Sequence, residues 1–353
     1  MLDQAILLLA LASTLGVCVM ADAIAIRFGV MAHPDQDRRK HAHPTPQVGG
    51  LAILCGLGVW LLARMALSLP DYEPIFLAMI LSVIGLGTIG FVDDQHEISP
   101  LVRVFFLLLF SCIAFALDRQ LISPVLHWNS MGNTAIPVIL YLPLMGITVV
   151  GLVNAVNMTD GQNGIVGSMF VVWSGCLMIV SHGLSAQLAG MLCVLSAIFL
   201  IFNLRGKMFL GDCGSYGVTF AVGLLVILAH ARGDVSLETL IVWFFIPVID
   251  CLRLLITRPL QGRSPFAADR DHFHHRLQDS LGKNGSAAVY AGTVAATSLL
   301  ATLQPRFSLL CVSALCAFYF SFAHVIEDIT SARKKARTDG AKVVSITSKH
   351  KQG

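Results

Sequence analysis

The amino-acid sequence predicts an all-α polytopic membrane protein, a bundle of about 11 transmembrane helices with its N-terminus outside and its C-terminus in the cytoplasm. Three observations carry this expectation. Only 13% of the 353 residues are charged, against roughly 25% in a soluble domain. Mean hydropathy is +0.75. Long apolar stretches recur along the chain, each close to the roughly 20 residues that cross a bilayer. Together they exclude a soluble enzyme and leave no room for a separate soluble domain of ordinary size.

The expected spans, in order, are 4–26, 48–69, 75–92, 101–117, 136–153, 164–181, 185–203, 214–231, 237–256, 286–303 and 306–326. The first opens with Asp3 rather than a basic segment and is of full spanning length, so it reads as a membrane helix and not as a cleaved signal. The eighth has an apolar core that begins only at Gly217, and Gln304 with Pro305 separates the last two. Residues 1–330 form a single transmembrane catalytic domain in this reading, and 331–353 a basic, disordered cytoplasmic tail. The chain shows no internal repeat. Nine cysteines, with no C-x-x-C pair and most of them inside apolar spans, read as small hydrophobes rather than as disulfides.

Orientation follows from the cations. Counting loops alternately, one side receives Arg27, Arg38, Arg39, Lys40, Arg103, Arg205, Lys207, Arg253, Arg258, Arg263, Arg270, Arg276, Lys283 and the tail, leaving only Arg64, Arg119, Arg232 and Arg306 for the other. The rich side is cytoplasmic by the positive-inside rule, which agrees with an odd number of spans.

The same loops concentrate carboxylates, amides and imidazoles. Asp93 and Asp94 follow an apolar run ending in Phe91 and Val92, which puts two carboxylates where membrane meets cytosol. Like charges this close call for a cation, and magnesium takes a few carboxylate oxygens together with substrate phosphates. The bland reading is an ordinary solvated loop start. Asn154, Asn157 and Asp160 recur at near-helical spacing, followed by Gly161, Gln162, Asn163 and Gly164, a pattern suited either to a polar ligand or to a plain turn. Asp212 sits between Gly211 and Gly214 just before a span, where unpaired N–H groups can meet phosphate oxygens or where Asp212 or Ser215 simply caps the helix. From Arg263 to Arg276 come three arginines, two aspartates (Asp269 and Asp271) and the imidazoles of His272, His274 and His275. Arginine forks and imidazoles bind phosphate, whereas a closed zinc site lacks a second Cys or His pair nearby. Asp250 lies beside Arg253 and reads as its partner at the interface.

Taken together, PTPQVGGLAI at 44–53, Asp93 with Asp94, NAVNMTDG at 154–161, FLGDCGS at 209–215 and SPFAADRDHFHH at 264–275 make the chain resemble the polyprenyl-phosphate N-acetylhexosamine-1-phosphate transferases. The last segment is more similar to the undecaprenyl-phosphate N-acetylglucosaminyl-1-phosphate branch than to the peptidoglycan branch. The resemblance runs from Arg38 to Arg276 in the family's order. It implies that undecaprenyl phosphate attacks the β-phosphate of a UDP-N-acetylhexosamine, giving the diphospho-sugar and UMP, with Mg2+ required and Mn2+ a substitute. It implies Asp93, Asp94 and Asp160 as catalytic residues, and Asp212 with Asp94 as metal ligands. Asn154, Asn157, Asn163, Arg263, Asp269, Arg270, His272, His274 and His275 would bind substrate. It further implies the bacterial inner membrane, an active site facing the cytoplasm, an early step of O-antigen or related glycan synthesis, no nucleic-acid partner, and a homodimer as one arrangement. One departure is visible. Where the family loop often reads D-G-x-D-G, this chain has Asn163 in place of the second carboxylate, and an amide carries no charge.

The rival classes are a transporter for an anionic or nucleotide-linked solute, and an inactive scaffold. A transporter places its polar residues near the midplane on related halves; here they gather in loops, with no repeat.

Overall fold

The computed structural model describes residues 2–34, 43–67, 74–264 and 271–322. The helices are α1 (Leu2–Val19), α2 (Ala21–Phe28), α3 (Gly49–Ala66), α4 (Ile75–His96), α5 (Pro100–Leu117), α6 (Val138–Thr159), α7 (Ile165–Val180), α8 (Gly183–Leu204), α9 (Gly211–Ala231), α10 (Leu237–Leu260) and α11 (Phe273–Leu303). They are followed by α12 (Pro305–Phe322). Among the described residues, 10 helices are long and apolar enough to cross a membrane, and α7 is a shorter apolar helix of 16 residues. Each expected span thus has its helix, including the separation at Gln304.

Several boundaries differ from the hydropathic ones for a common reason: helical hydrogen bonding continues past the apolar segment into polar residues. α4 extends through Asp93 and Asp94, and α6 through Asn154 and Asn157, so these side chains sit on ordered helix ends rather than in loops. α9 begins at Gly211, which places Asp212 in its first turn. The first span is two helices, α1 and α2. α11 is bent where Gly282 adopts φ 72°, a left-handed conformation open to glycine, and this divides a short arm carrying His274 and His275 from the spanning portion.

The core is organised around α9, which is buried along its apolar length. Apolarity does not decide this, since lipid accepts an apolar surface as readily as protein does; α9 is enclosed because α3, α4, α6, α7 and α8 all pack against it. Missing side chains let α3 and α4 come near its N-terminus. A Cβ on Gly50 would lie 2.0 Å from the Gly214 backbone nitrogen, and one on Gly90 would lie 2.3 Å from the Asp212 carbonyl oxygen. Larger residues would push these helices apart and separate the groups they carry.

Strands are minor. β1 (Met31–Ala32) pairs antiparallel with β2 (Thr45–Pro46), and β3 (Val125–Trp128) with β4 (Gly132–Ala135) in a hairpin running from Val125↔Ala135 to Trp128↔Gly132. The hairpin closes the end of the bundle opposite the carboxylate-rich end. There the buried Glu238 accepts hydrogen bonds from the Asn129 and Ser130 backbone nitrogens at 2.9 and 3.0 Å.

Candidate active site

At the other end, the C-termini of α4, α6 and α10 meet the N-termini of α9 and α11. Asp93 is 3% exposed. Its carboxylate is ion-paired with Arg103, Nε to Oδ2 at 2.7 Å, and accepts from the Ile98 nitrogen at 2.7 Å and the Tyr216 hydroxyl at 2.5 Å. A buried carboxylate requires such partners, and here the α4–α5 connection, α5 and α9 each supply one.

Asp94 points to α9 instead. Its Oδ1 accepts from the Asp212 nitrogen at 2.9 Å and Gln47 Nε2 at 3.2 Å, and its Oδ2 from the Cys213 nitrogen at 3.2 Å. The residue at the α9 cap position, Leu210, has no capping side chain. A carboxylate from α4 therefore satisfies the first free N–H groups and lies at the positive end of the helix dipole. Neither Asp212 nor Ser215 performs this role: the Ser215 hydroxyl donates back to the Gly211 carbonyl at 3.2 Å.

Asp212 accepts from Asn157 Nδ2 at 2.5 Å, which joins α6 to α9. Asp160, just beyond α6, is half-buried, and its carboxyl is pushed up to about 7, mostly by burial and then by the negative charge of Asp212. Asp94 and Asp160 thus both lie within electrostatic reach of Asp212, which the Asn157 amide holds. Asn154 directs its amide to the Val150 carbonyl of its own helix at 2.8 Å. Asn163 is half-buried beside Gly206.

The imidazoles approach this group from α11. A Cβ on Gly161 would lie 2.4 Å from His274 Nε2 and 3.3 Å from His275 Cε1, so the loop after Asp160 runs directly against them. His272 and His274 stack with centroids 5.5 Å apart and planes at 22°, and His274 and His275 lie 4.2 Å apart. Arg263, just past the end of α10, is bound to Asp271 Oδ2 at 2.8 Å. Asp269 and Arg270 lie outside the described residues.

Sequence reasoning did not single out several groups that build this arrangement. Asn203 is buried and ties two loops together, accepting from the Gly164 nitrogen at 2.7 Å and donating to the Met208 carbonyl at 2.9 Å. Gln162 donates to the Lys283 carbonyl at 2.6 Å and to Ser286 Oγ at 2.7 Å, binding the Asp160 loop to α11 just past its bend. Arg258 is 1% exposed, with Nη2 3.4 Å from His272 Nε2. Asp250 pairs with Arg253 at 2.8 Å, as its spacing suggested, and also reaches His272. The only advance signal for the others was polarity in an apolar context.

Among the described residues, no set of three or more His, Cys, Asp or Glu side chains is arranged to enclose a metal ion. Magnesium needs no such cage. It is held by one or two carboxylates with substrate phosphates and water completing its shell, and Asp212 beside Asp94 is a donor set of that kind.

Residues 76–230 match the family described as glycosyl transferase family 4. The chain is similar to decaprenyl-phosphate N-acetylglucosaminephosphotransferase of Mycolicibacterium smegmatis, 25% identical over 284 residues, covering 72% of this chain and 70% of the relative. It is similar as well to undecaprenyl-phosphate alpha-N-acetylglucosaminyl 1-phosphate transferases, 26% identical, from Yersinia pestis, with 73% and 72% of the two chains covered, and from Salmonella typhi, with 72% and 71% covered.

Proposed function

We propose that this chain, a membrane protein carrying a glycosyl transferase family 4 segment at residues 76–230, transfers a sugar 1-phosphate, N-acetylglucosamine 1-phosphate in our reading, from a UDP-sugar to undecaprenyl phosphate. The observation that carries the reading is the meeting of Asp212, Asn157, Asp94 and Asp160 with the His274 and His275 imidazoles at one end of the bundle. Acids and imidazoles at a lipid–water boundary suit a reaction between a membrane-held phosphate and a soluble diphosphate.

In this reaction an oxygen of the lipid phosphate forms a bond to the β-phosphorus of the donor. The bond from that phosphorus to the bridging oxygen breaks, and UMP leaves with the bridging oxygen. Phosphoryl transfer depends mainly on positioning and charge neutralisation. The acceptor is already anionic, so Asp93, held by Arg103 and Tyr216, has no proton to remove and instead orients the acceptor side of the site. Asp212 and Asp94 would hold Mg2+; Asp94 retains lone pairs beyond its hydrogen bonds to α9. A bound magnesium ion supplies neutralisation of the diphosphate oxygens. Asn157 and Asp160 border the nucleotide side, with Asn154 and Asn163 on the same α6 end and loop. Arg263, Asp269 and Arg270 would bind phosphate and sugar together with His274 and His275, with His272 stacked against His274. The distribution of cations supports a site facing the cytoplasm of a bacterial inner membrane, and the product would begin an O-antigen or related surface glycan.

Purified protein given UDP-N-acetylglucosamine, undecaprenyl phosphate and Mg2+ is expected to release UMP. Release of UDP would indicate transfer of the sugar alone. Absence of turnover with every UDP-N-acetylhexosamine would overturn the proposal.

A further inference from the structure

Asp250 lies outside the carboxylate group described above, 3% exposed near the middle of α10. Its Oδ1 accepts from Arg253 Nη2 at 2.8 Å and from the Tyr319 hydroxyl at 2.7 Å. Its Oδ2 is 3.1 Å from His272 Nδ1, and the Phe273 backbone nitrogen lies 3.2 Å from both oxygens. His272 is the residue at the α11 cap position and offers no side-chain cap of its own. Asp250 therefore supplies from α10 what the start of α11 lacks, and it fixes the imidazole next to it.

The tautomer of His272 follows from its neighbours. A carboxylate only accepts, so Nδ1 donates to Asp250. A guanidinium only donates, so Nε2, 3.4 Å from Arg258 Nη2, is left as the acceptor. Both ring nitrogens are thus engaged within the protein. What His272 offers the site is its face, stacked on His274, whose Nε2 in turn abuts Gly161.

We infer that Asp250 is a positioning residue of the transferase: through His272 it sets the orientation of His274 at the donor diphosphate. The inference rests on the transferase reading for the role of His274. Asp250→Asn would turn an NH2 toward Nδ1–H of His272. Relief of that contact takes either the other tautomer, whose Nε2–H then opposes Arg258, or a flipped amide, whose NH2 then opposes the Arg253 guanidinium. The His274 ring loses its fixed support although no group in contact with substrate has been altered.

The test compares the parent, Asp250→Asn, His272→Phe, His274→Ala and the doubles Asp250→Asn/His274→Ala and His272→Phe/His274→Ala. UDP-N-acetylglucosamine binding is measured by titration calorimetry with Mg2+, and KM for each substrate by UMP release. Asp250→Asn is expected to weaken donor binding and raise donor KM about tenfold, with the undecaprenyl phosphate KM unchanged and with no further loss in the double beyond His274→Ala alone. A general folding defect would lower the active fraction and leave both KM values as they were. His272→Phe keeps a ring to stack but neither nitrogen, and gives the same test if Asp250→Asn yields no folded protein. Unchanged donor affinity in both single variants, or losses that multiply with His274→Ala, would overturn the inference. A parent that binds donor and releases no UMP would refute the transferase reading instead, and the calorimetric comparison would still decide whether Asp250 acts through His274.

Discussion

Gly161→Ala is a small substitution with a large expected consequence. The added Cβ would lie 2.4 Å from His274 Nε2, against the 3.4 Å or more of ordinary contact, so the ring has to yield by about 1 Å. It has nowhere close to go: His274 is 1% exposed, stacked on His272 on one side and 4.2 Å from His275 on the other. Nor can the loop easily retreat. Gln162 is tied to Lys283 and Ser286, and the Gly164 nitrogen to Asn203. Overpacking of this kind costs about 1–3 kcal/mol of stability, and displacement of a group next to the reacting atoms by about 1 Å costs on the order of 100-fold in turnover. The assay is UMP release by detergent-purified protein, with thermal unfolding measured on the same samples. Gly161→Ala/His274→Ala is the control, because removal of the ring removes the clash; the double should be no slower than His274→Ala alone. Turnover within about twofold of the parent for Gly161→Ala, or an undiminished loss on top of His274→Ala, would refute the reasoning.

Arg103→Ala leaves the Asp93 carboxylate buried with only Ile98 and Tyr216 as partners, a loss of about 3–5 kcal/mol for a fully buried pair. Arg103 is 27% exposed, so the low end is expected; a change under about 1 kcal/mol in chemical or thermal unfolding would place the pair with weak surface bridges. Asp160 predicts a pH effect of definite sign in metal-free protein. The folded state keeps its proton up to about 7, whereas the unfolded chain releases it near the ordinary carboxylate value of about 4. The folded state thus binds more protons across that window, and stability falls as pH rises toward 7. Asp160→Asn should flatten this slope, and a parent–variant difference in unfolding temperature that stays constant from pH 5 to 8 would contradict it.

The sequence made much of the fold legible because hydropathy is a local property. Spans could be counted without knowing how they pack, and the break at Gln304 was visible because Pro305 follows it. What hydropathy could not show is where a helix ends, since α4 and α6 continue hydrogen-bonding through residues no membrane would accept. For that reason Asp93, Asp94, Asn154 and Asn157 look like loop residues in the sequence and are helix ends in the structure. The distinction matters chemically, because a side chain on the last turn of a buried helix has a far more restricted set of positions than one in a loop.

Pairing was the less legible part. Adjacent carboxylates at 93 and 94 suggest one shared cation, yet consecutive positions on a helix point about 100° apart, and these two face Arg103 and α9 respectively. The partner of each depends on how closely α3, α4 and α9 approach, which rests on Gly50, Gly90 and Gly214, and a glycine in an apolar span announces no particular neighbour. Asp250 shows the same limit from the other side. Its spacing to Arg253 is a local signal and was readable; its bond to His272, 22 residues away, exists only because α11 begins against α10. Residue types in this chain therefore reveal what chemistry is available, while the division between groups that meet substrate and groups that hold them is set by helix contacts that small residues permit.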